Sequence, residues 1–202
     1  CREHLEEVGY EVVSDSVFSK ISDTCTPQGV LCVLKQFHYN IEEMLRDKAP
    51  LFLLLENIQD PGNLGTMLRT GEGAGVSGII MSRDTVDLYN PKVIRSTMGS
   101  IYRVPFYYAD DFAAAVHQVQ QAGVSVYAAH LRGKNSYACQ DYTKGAAFLI
   151  GNEGNGLRDE TAELADCYIR IPMEGKVESL NAAVASSILM YEAHRQRATI
   201  EK

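Results

Sequence analysis

Two periods of apolar spacing alternate along this chain. Leu51-Phe52-Leu53-Leu54-Leu55 is a continuous apolar run, the pattern of a strand buried on both faces. Similar short runs at 78–81, 102–106, 124–128, 147–150 and 167–171 read as strands. Between them, 62–74, 110–121 and 157–164 read as helices. Pro91 opens a short helix over 91–98, at a position where its missing N–H costs nothing. Asp110 and Asp111 fall at the positive end of the 110–121 helix. Residues 179–197 form a long last helix with Ser179 as N-cap. Gly71, Gly73 and Gly75 follow a helix and precede a strand, the context of a helix stop. Strands alternating with helices predict an α/β fold, a mostly parallel sheet with helices on both faces.

The first 49 residues differ in pattern. A β-like run, Val30–Leu34, follows the turn signal Thr26-Pro27-Gln28-Gly29, and an acidic amphipathic stretch runs from Ile41 to Lys48. Pro50 disfavours helix before it, which sets a boundary between 1–49 and 50–202. The start at Cys1, without an initiator Met, reads as part of a longer product.

Composition narrows the classes. Of 202 residues, 46% are hydrophobic and 22% charged, as in ordinary globular domains. No apolar run is long enough to span a bilayer. Nineteen basic against 26 acidic residues give a net charge of −7, which argues against a broadly basic, sequence-blind nucleic-acid binder. Five scattered cysteines without a C-x-x-C pair disfavour zinc and disulfide frameworks and suggest a reducing cytoplasm. Cys32 and Cys167, inside apolar runs, read as small core residues. The five histidines show no metal-ligand spacing, so no metal is expected.

Three segments carry candidate chemistry. The first, Asn57-Ile58-Gln59-Asp60-Pro61-Gly62-Asn63-Leu64-Gly65-Thr66-Met67-Leu68-Arg69-Thr70, leaves the first buried strand and enters a helix, a favoured ligand position in open α/β sheets. Asn63 and Arg69, close to two turns apart, are expected on one side of it. The second, Phe148-Leu149-Ile150-Gly151-Asn152-Glu153-Gly154-Asn155-Gly156-Leu157, is a strand entering a glycine-rich turn, where a ligand can approach the main chain. It does not match a dinucleotide fingerprint, and the loop after Leu55 lacks one too, which argues against a dehydrogenase. The third is Ile169-Arg170-Ile171-Pro172-Met173-Glu174-Gly175-Lys176-Val177-Glu178-Ser179-Leu180-Asn181-Ala182-Ala183. Capping accounts for Ser179 there but leaves Asn181, a poor helix former, without a structural task.

Together these segments resemble the motif set of the SpoU/TrmH family of RNA ribose 2′-O-methyltransferases, in the SPOUT superfamily. The resemblance spans about residues 50–197, and 14–36 is similar to the end of the family's N-terminal RNA-binding domain. It implies a C-terminal trefoil knot, a homodimer whose sites are bordered by the partner subunit, and S-adenosylmethionine held against Ala129, Gly151, Ile171, Met173 and Leu180. It implies methyl transfer to a ribose 2′-OH, with ribosomal RNA favoured over transfer RNA. A transfer-RNA methyltransferase and a non-catalytic RNA-binding protein on the same fold are the rivals. Arg69 is the catalytic position that the resemblance implies, with Asn63, Glu153, Ser179 and Asn181 around it and Arg95 as an RNA phosphate contact. Two roles are open to Arg69: a base made unusually acidic by its site, or a clamp on a neighbouring phosphate. With an acidic chain, RNA binding then calls for a local basic patch from Arg69, Arg95, Arg103 and Arg132.

Overall fold

The computed structural model describes residues 9–22 and 24–198, which divide into two units, Cys1–Phe37 and His38–Lys202. Residues 38–49, which precede Pro50, fall within the second of these units. In the first unit, helix α1 (Asp15–Ile21) buries no residue. Val30–Leu34 form no strand, and all five are exposed, Cys32 included. A strand must satisfy its main chain through a neighbour, and the described residues of this unit supply none.

The second unit opens with α2 (Ile41–Met44), whose Asn40 cap accepts a hydrogen bond from the Glu43 amide at 2.9 Å. Then follow β1 (Leu51–Leu55), α3 (Pro61–Ala74), β2 (Gly78–Ser82), α4 (Pro91–Ser96), β3 (Phe106–Ala109), α5 (Phe112–Gln121), β4 (Ser125–Ala129) and β5 (Asn135–Ser136). β6 (Ala146–Ile150), α6 (Asp159–Ala162), β7 (Cys167–Arg170) and α7 (Ala182–Ala198) complete it. All seven strands pair in parallel, in the order β3-β2-β1-β6-β4-β7-β5. β1, β2 and β6 are buried at every residue, which explains their unbroken apolar runs.

Several boundaries differ from expectation for local reasons. Tyr102–Phe106 is not a strand: Ser100–Tyr102 is a 3-10 turn and β3 begins at Phe106. Pro105 has no N–H to give a ladder, and only its carbonyl joins the sheet, accepting from Ile79 at 3.0 Å. Helix α6 is shorter than 157–164. Helix α7 starts at Ala182, and its cap is Asn181, not Ser179. The Asn181 Oδ1 accepts from the amides of Ala183 (2.9 Å) and Val184 (3.2 Å), the structural task its sequence position had not suggested. Cys167 is half-buried on β7 rather than enclosed in the core.

Helix α3 is the pivot of the layer that carries the site. Asp60 caps it, accepting from the Asn63 amide at 2.8 Å, and Gly75 ends it at φ 77°. Gly65 lets α4 come close. A Cβ there would lie 1.7 Å from Ser96 Oγ, and that hydroxyl already donates to Pro61 and Val93 carbonyls. Alanine would gain about 1 kcal/mol in helix propensity, but overpacking costs about 1–3 kcal/mol. Gly65→Ala should therefore destabilise the protein in urea unfolding; equal or greater stability would refute this packing argument.

A candidate active site between two clefts

The site forms where the sheet changes winding direction. β1 leads outward to β2 on one side and pairs with the late strand β6 on the other. Loops leaving the carboxyl ends of such strands enclose a crevice. Here the β1 loop and the β6 loop are laced together. The Glu56 amide donates to the Ile150 carbonyl at 2.9 Å, and Asn152 Nδ2 donates to the Asn57 carbonyl at 2.8 Å. Buried Glu56 accepts from the Arg158 amide and from Thr161 Oγ1, fixing the start of α6, while Arg158 also pairs with Asp84. Those cross-links were not legible in the sequence, because partners about a hundred positions apart leave no periodic signal.

The glycine loop folds back on itself. Asn152 and Gly156 exchange main-chain hydrogen bonds, and Asn152 Oδ1 accepts from the Gly154 and Asn155 amides at 3.0 Å each. A Cβ on Gly151 would sit 2.2 Å from the main chain of Gly156 and Leu157, so glycine is required there.

From this loop Glu153 reaches back to the start of α3. Its Oε1 accepts from the Asp60 amide and Asn63 Nδ2, both at 3.0 Å, and its Oε2 from the Gln59 amide at 3.1 Å. Desolvation pushes its pKa up, but those donors together outweigh it and hold the carboxyl below the usual range. Glu153 is thus an ionised, committed acceptor. Asn181 Nδ2 donates to Asn63 Oδ1 at 3.0 Å. One chain of bonds, Glu153–Asn63–Asn181, joins all three sequence motifs.

Two clefts meet at the glycine loop. The first, about 260 Å³, is lined by Ala129, Gly151, Ile171, Met173 and Leu180, with Glu153, Glu178 and Ser179 at its wall. The second, about 630 Å³, is lined by Gln59, Asp60, Pro61, Asn63, Asn181 and the glycine loop. Residues 152–154 border both. The five residues expected around the cofactor therefore share one cleft, and Asn63, Glu153 and Asn181 share the other. The mostly apolar lining of the first cleft suits a flat heteroaromatic ring, and its two carboxylates suit a cationic sulfonium, so S-adenosylmethionine fits this donor set.

Arg69 and Arg95 line neither cleft. Positions six apart on a helix are separated by about 120° around the axis. Arg69 therefore does not share a side with Asn63; it is exposed on α3. The expected four-arginine patch shrinks to two: Arg103 pairs with Glu72, and Arg132 with Asp159. The hydrogen bonds from Arg103 and Ser100 pull the Glu72 pKa to about 2. Among the described residues, no three His, Cys, Asp or Glu side chains converge as metal ligands, and no helix is long and apolar enough to cross a membrane.

Comparison with known proteins matches residues 50–191 to the SpoU rRNA Methylase family. The chain is 35% identical over 180 residues to the 23S rRNA (guanosine(2553)-2′-O)-methyltransferase RlmP of Bacillus subtilis, covering 89% of this chain and 70% of that protein. The AdoMet-bound rRNA methyltransferase from Sinorhizobium meliloti superposes with a TM-score of 0.81 at 36% identity, over 90% of this chain and 70% of that one. The SpoU methyltransferase AviRb from Streptomyces viridochromogenes gives a TM-score of 0.75 at 29% identity. That alignment takes in 79% of this chain but only 64% of AviRb, under two thirds of its length. With its three motifs joined at one site and this sheet shared with solved SpoU enzymes, the chain belongs to the SpoU rRNA methylase family.

Proposed function

We propose that the chain is a homodimeric, cytoplasmic RNA methyltransferase that uses S-adenosylmethionine to methylate a ribose 2′-OH in ribosomal RNA. The observation that carries this reading is the shared wall of the two clefts. Residues 152–154 line both clefts, so the apolar and the polar one adjoin along that loop, and a donor bound in the first lies beside an acceptor bound in the second. Relatives named as 23S rRNA methyltransferases favour ribosomal over transfer RNA. The Glu153–Asn63–Asn181 bonds oppose a non-catalytic reading, since a mere scaffold has no need of a polar cleft built from all three motifs. A trefoil knot through which 171–181 passes accounts for the first cleft being walled by that segment.

When bound, S-adenosylmethionine supplies an electrophilic methyl on a sulfonium. The chain's own residues do the rest. Ala129, Gly151, Ile171, Met173 and Leu180 enclose the cofactor. Glu153 keeps Asn63 and the start of α3 in place. Asn63 and Asn181 orient the ribose, and Ser179 shapes the wall beside them. Arg69 acts as a clamp, its guanidinium stabilising negative charge on the 2′-oxygen and the adjacent phosphate. Because Arg69 lies on an exposed stripe of α3 with Gly62, Thr66 and Gly73, beside exposed Val184 and Tyr191 of α7, we place it across a two-fold interface, completing the partner's site.

Arg69→Ala should abolish methyl transfer to unmodified ribosomal RNA while calorimetry finds cofactor affinity unchanged. Mixed dimers of Arg69→Ala with Asn181→Ala subunits should recover a substantial fraction of activity, because one site per dimer then regains both parts. No recovery in verified mixed dimers would sink the action across the interface, and near-normal turnover by Arg69→Ala alone would sink the catalytic assignment.

Glu153 gives a pH signature. Its folded pKa lies below its unfolded value near 4.5, so its stabilising bonds are fully present above that pH and are lost as pH falls through the folded value. Unfolding midpoints of the parent should drop on acidification below about pH 4.5 more steeply than those of Glu153→Gln. Parallel curves would show that Glu153 is not linked to folding.

A further inference from the structure

Only Asn57 (φ 54°) and Met98 (φ 50°) are non-glycine residues with positive φ among the described residues. Asn57 is held there by bonds at both ends: its amide donates to Ser82 Oγ at 2.9 Å, and its carbonyl accepts from Asn152. Met98 follows the Thr97 C-cap of α4, a place where a left-handed residue is usual but is most often glycine or asparagine. Its side chain is 69% exposed, although glycine would take this backbone conformation at less cost. Strain kept at an exposed apolar side chain is a signal of function.

Its surroundings say what kind. Ser96 packs on Gly65, and Arg103 and Ser100 bond to Glu72, so the chain from Ser96 to Arg103 runs along α3 between those two turns. Arg69 lies on that same face of α3, between Gly65 and Glu72, which sets Met98 level with it. Arg95 is the last-turn cation of α4, its carbonyl accepting from the Met98 amide at 3.4 Å. Arg69 and Arg95, like Arg46 and Arg170, have no ion-pair partner among the described residues, whereas Arg83, Arg103, Arg132, Arg158 and Arg195 all have one.

We propose that Met98 contacts the substrate RNA: its thioether packs on a nucleobase next to the methylated nucleotide, with Arg69 and Arg95 holding the flanking phosphates. This rests on reading the chain as an RNA methyltransferase. An apolar ledge between two unpaired cations matches a flexible strand, whose flat bases alternate with phosphates.

Met98→Gly tests the proposal, because it relieves the strained backbone while deleting the contact. Its melting temperature should equal or exceed the parent's, and calorimetry should find S-adenosylmethionine affinity unchanged. Its affinity for a labelled single-stranded RNA of about twenty nucleotides, read by fluorescence anisotropy, should fall roughly fivefold with an unchanged salt slope. Met98→Leu should retain most of the affinity, and Arg95→Ala should lower the salt slope by about one. RNA affinity equal to the parent's in Met98→Gly overturns the proposal. So does a loss that tracks dimer dissociation in sedimentation, which would assign Met98 to a subunit interface. A parent protein that binds S-adenosylmethionine but no RNA would overturn the RNA reading itself.

Discussion

The Glu153 carboxylate is the interaction on which the arrangement of the site depends. Its side chain holds the glycine loop after β6 to the start of α3, through the Gln59 and Asp60 amides and Asn63. Those amides precede a helix start, where unpaired donors and the helix dipole favour a negative charge. The charge is therefore stabilised by the element it orients. Asn63, so fixed, accepts from Asn181, which in turn caps α7. Motif chemistry and helix capping are one network, so a substitution at any of its members disturbs both a helix end and the shape of the polar cleft.

Parallel pairing explains why such a network can exist. A parallel sheet brings all its strand ends to one edge, and β1 and β6, nearly a hundred residues apart, become neighbours there. The buried runs of β1, β2 and β6 were legible because burial on both faces leaves an unbroken apolar signal. So were α3, read over 62–74 with Gly75 at its stop, and α5, marked by Asp111. The Val30–Leu34 run misled because β-branched, apolar composition reports fitness for a strand, not the presence of a neighbour to pair with. Tyr102–Phe106 misled for a related reason, since Pro105 and the Gly99 turn override its apolar pattern.

Within the site, residue types were more legible than their spatial relations. Ala129, Gly151, Ile171, Met173 and Leu180 come from separate segments, yet they face one cleft because each lies at or just beyond the end of a neighbouring strand or at the start of α7. Asn181 was singled out because no local rule justified it; its cap and its bond to Asn63 together account for it. Arg69 shows the opposite limit. Its motif position identified it, but six residues on a helix do not return to the same face, and the geometry separates it from the clefts its chemistry requires. The cross-links Glu56–Arg158 and Asn152–Asn57 left no sequence signal at all.

Charge ties these points together. A net −7 seemed at odds with an RNA substrate, and the pairing of the arginines resolves the conflict. Arg83, Arg103, Arg132, Arg158 and Arg195 each spend their charge on a carboxylate of this chain, which neutralises them locally and leaves the surface acidic overall. A paired guanidinium attracts a phosphate weakly, because its field is already compensated, and releasing it requires breaking a bond. Arg69 and Arg95 carry no such commitment. Unpaired cations on α3 and α4 of an acidic protein attract a polyanion there, while the carboxylates in excess elsewhere repel it. The acidic balance thereby acts as a selector, weakening binding in wrong registers while leaving the strand's approach to α3 and α4 favourable.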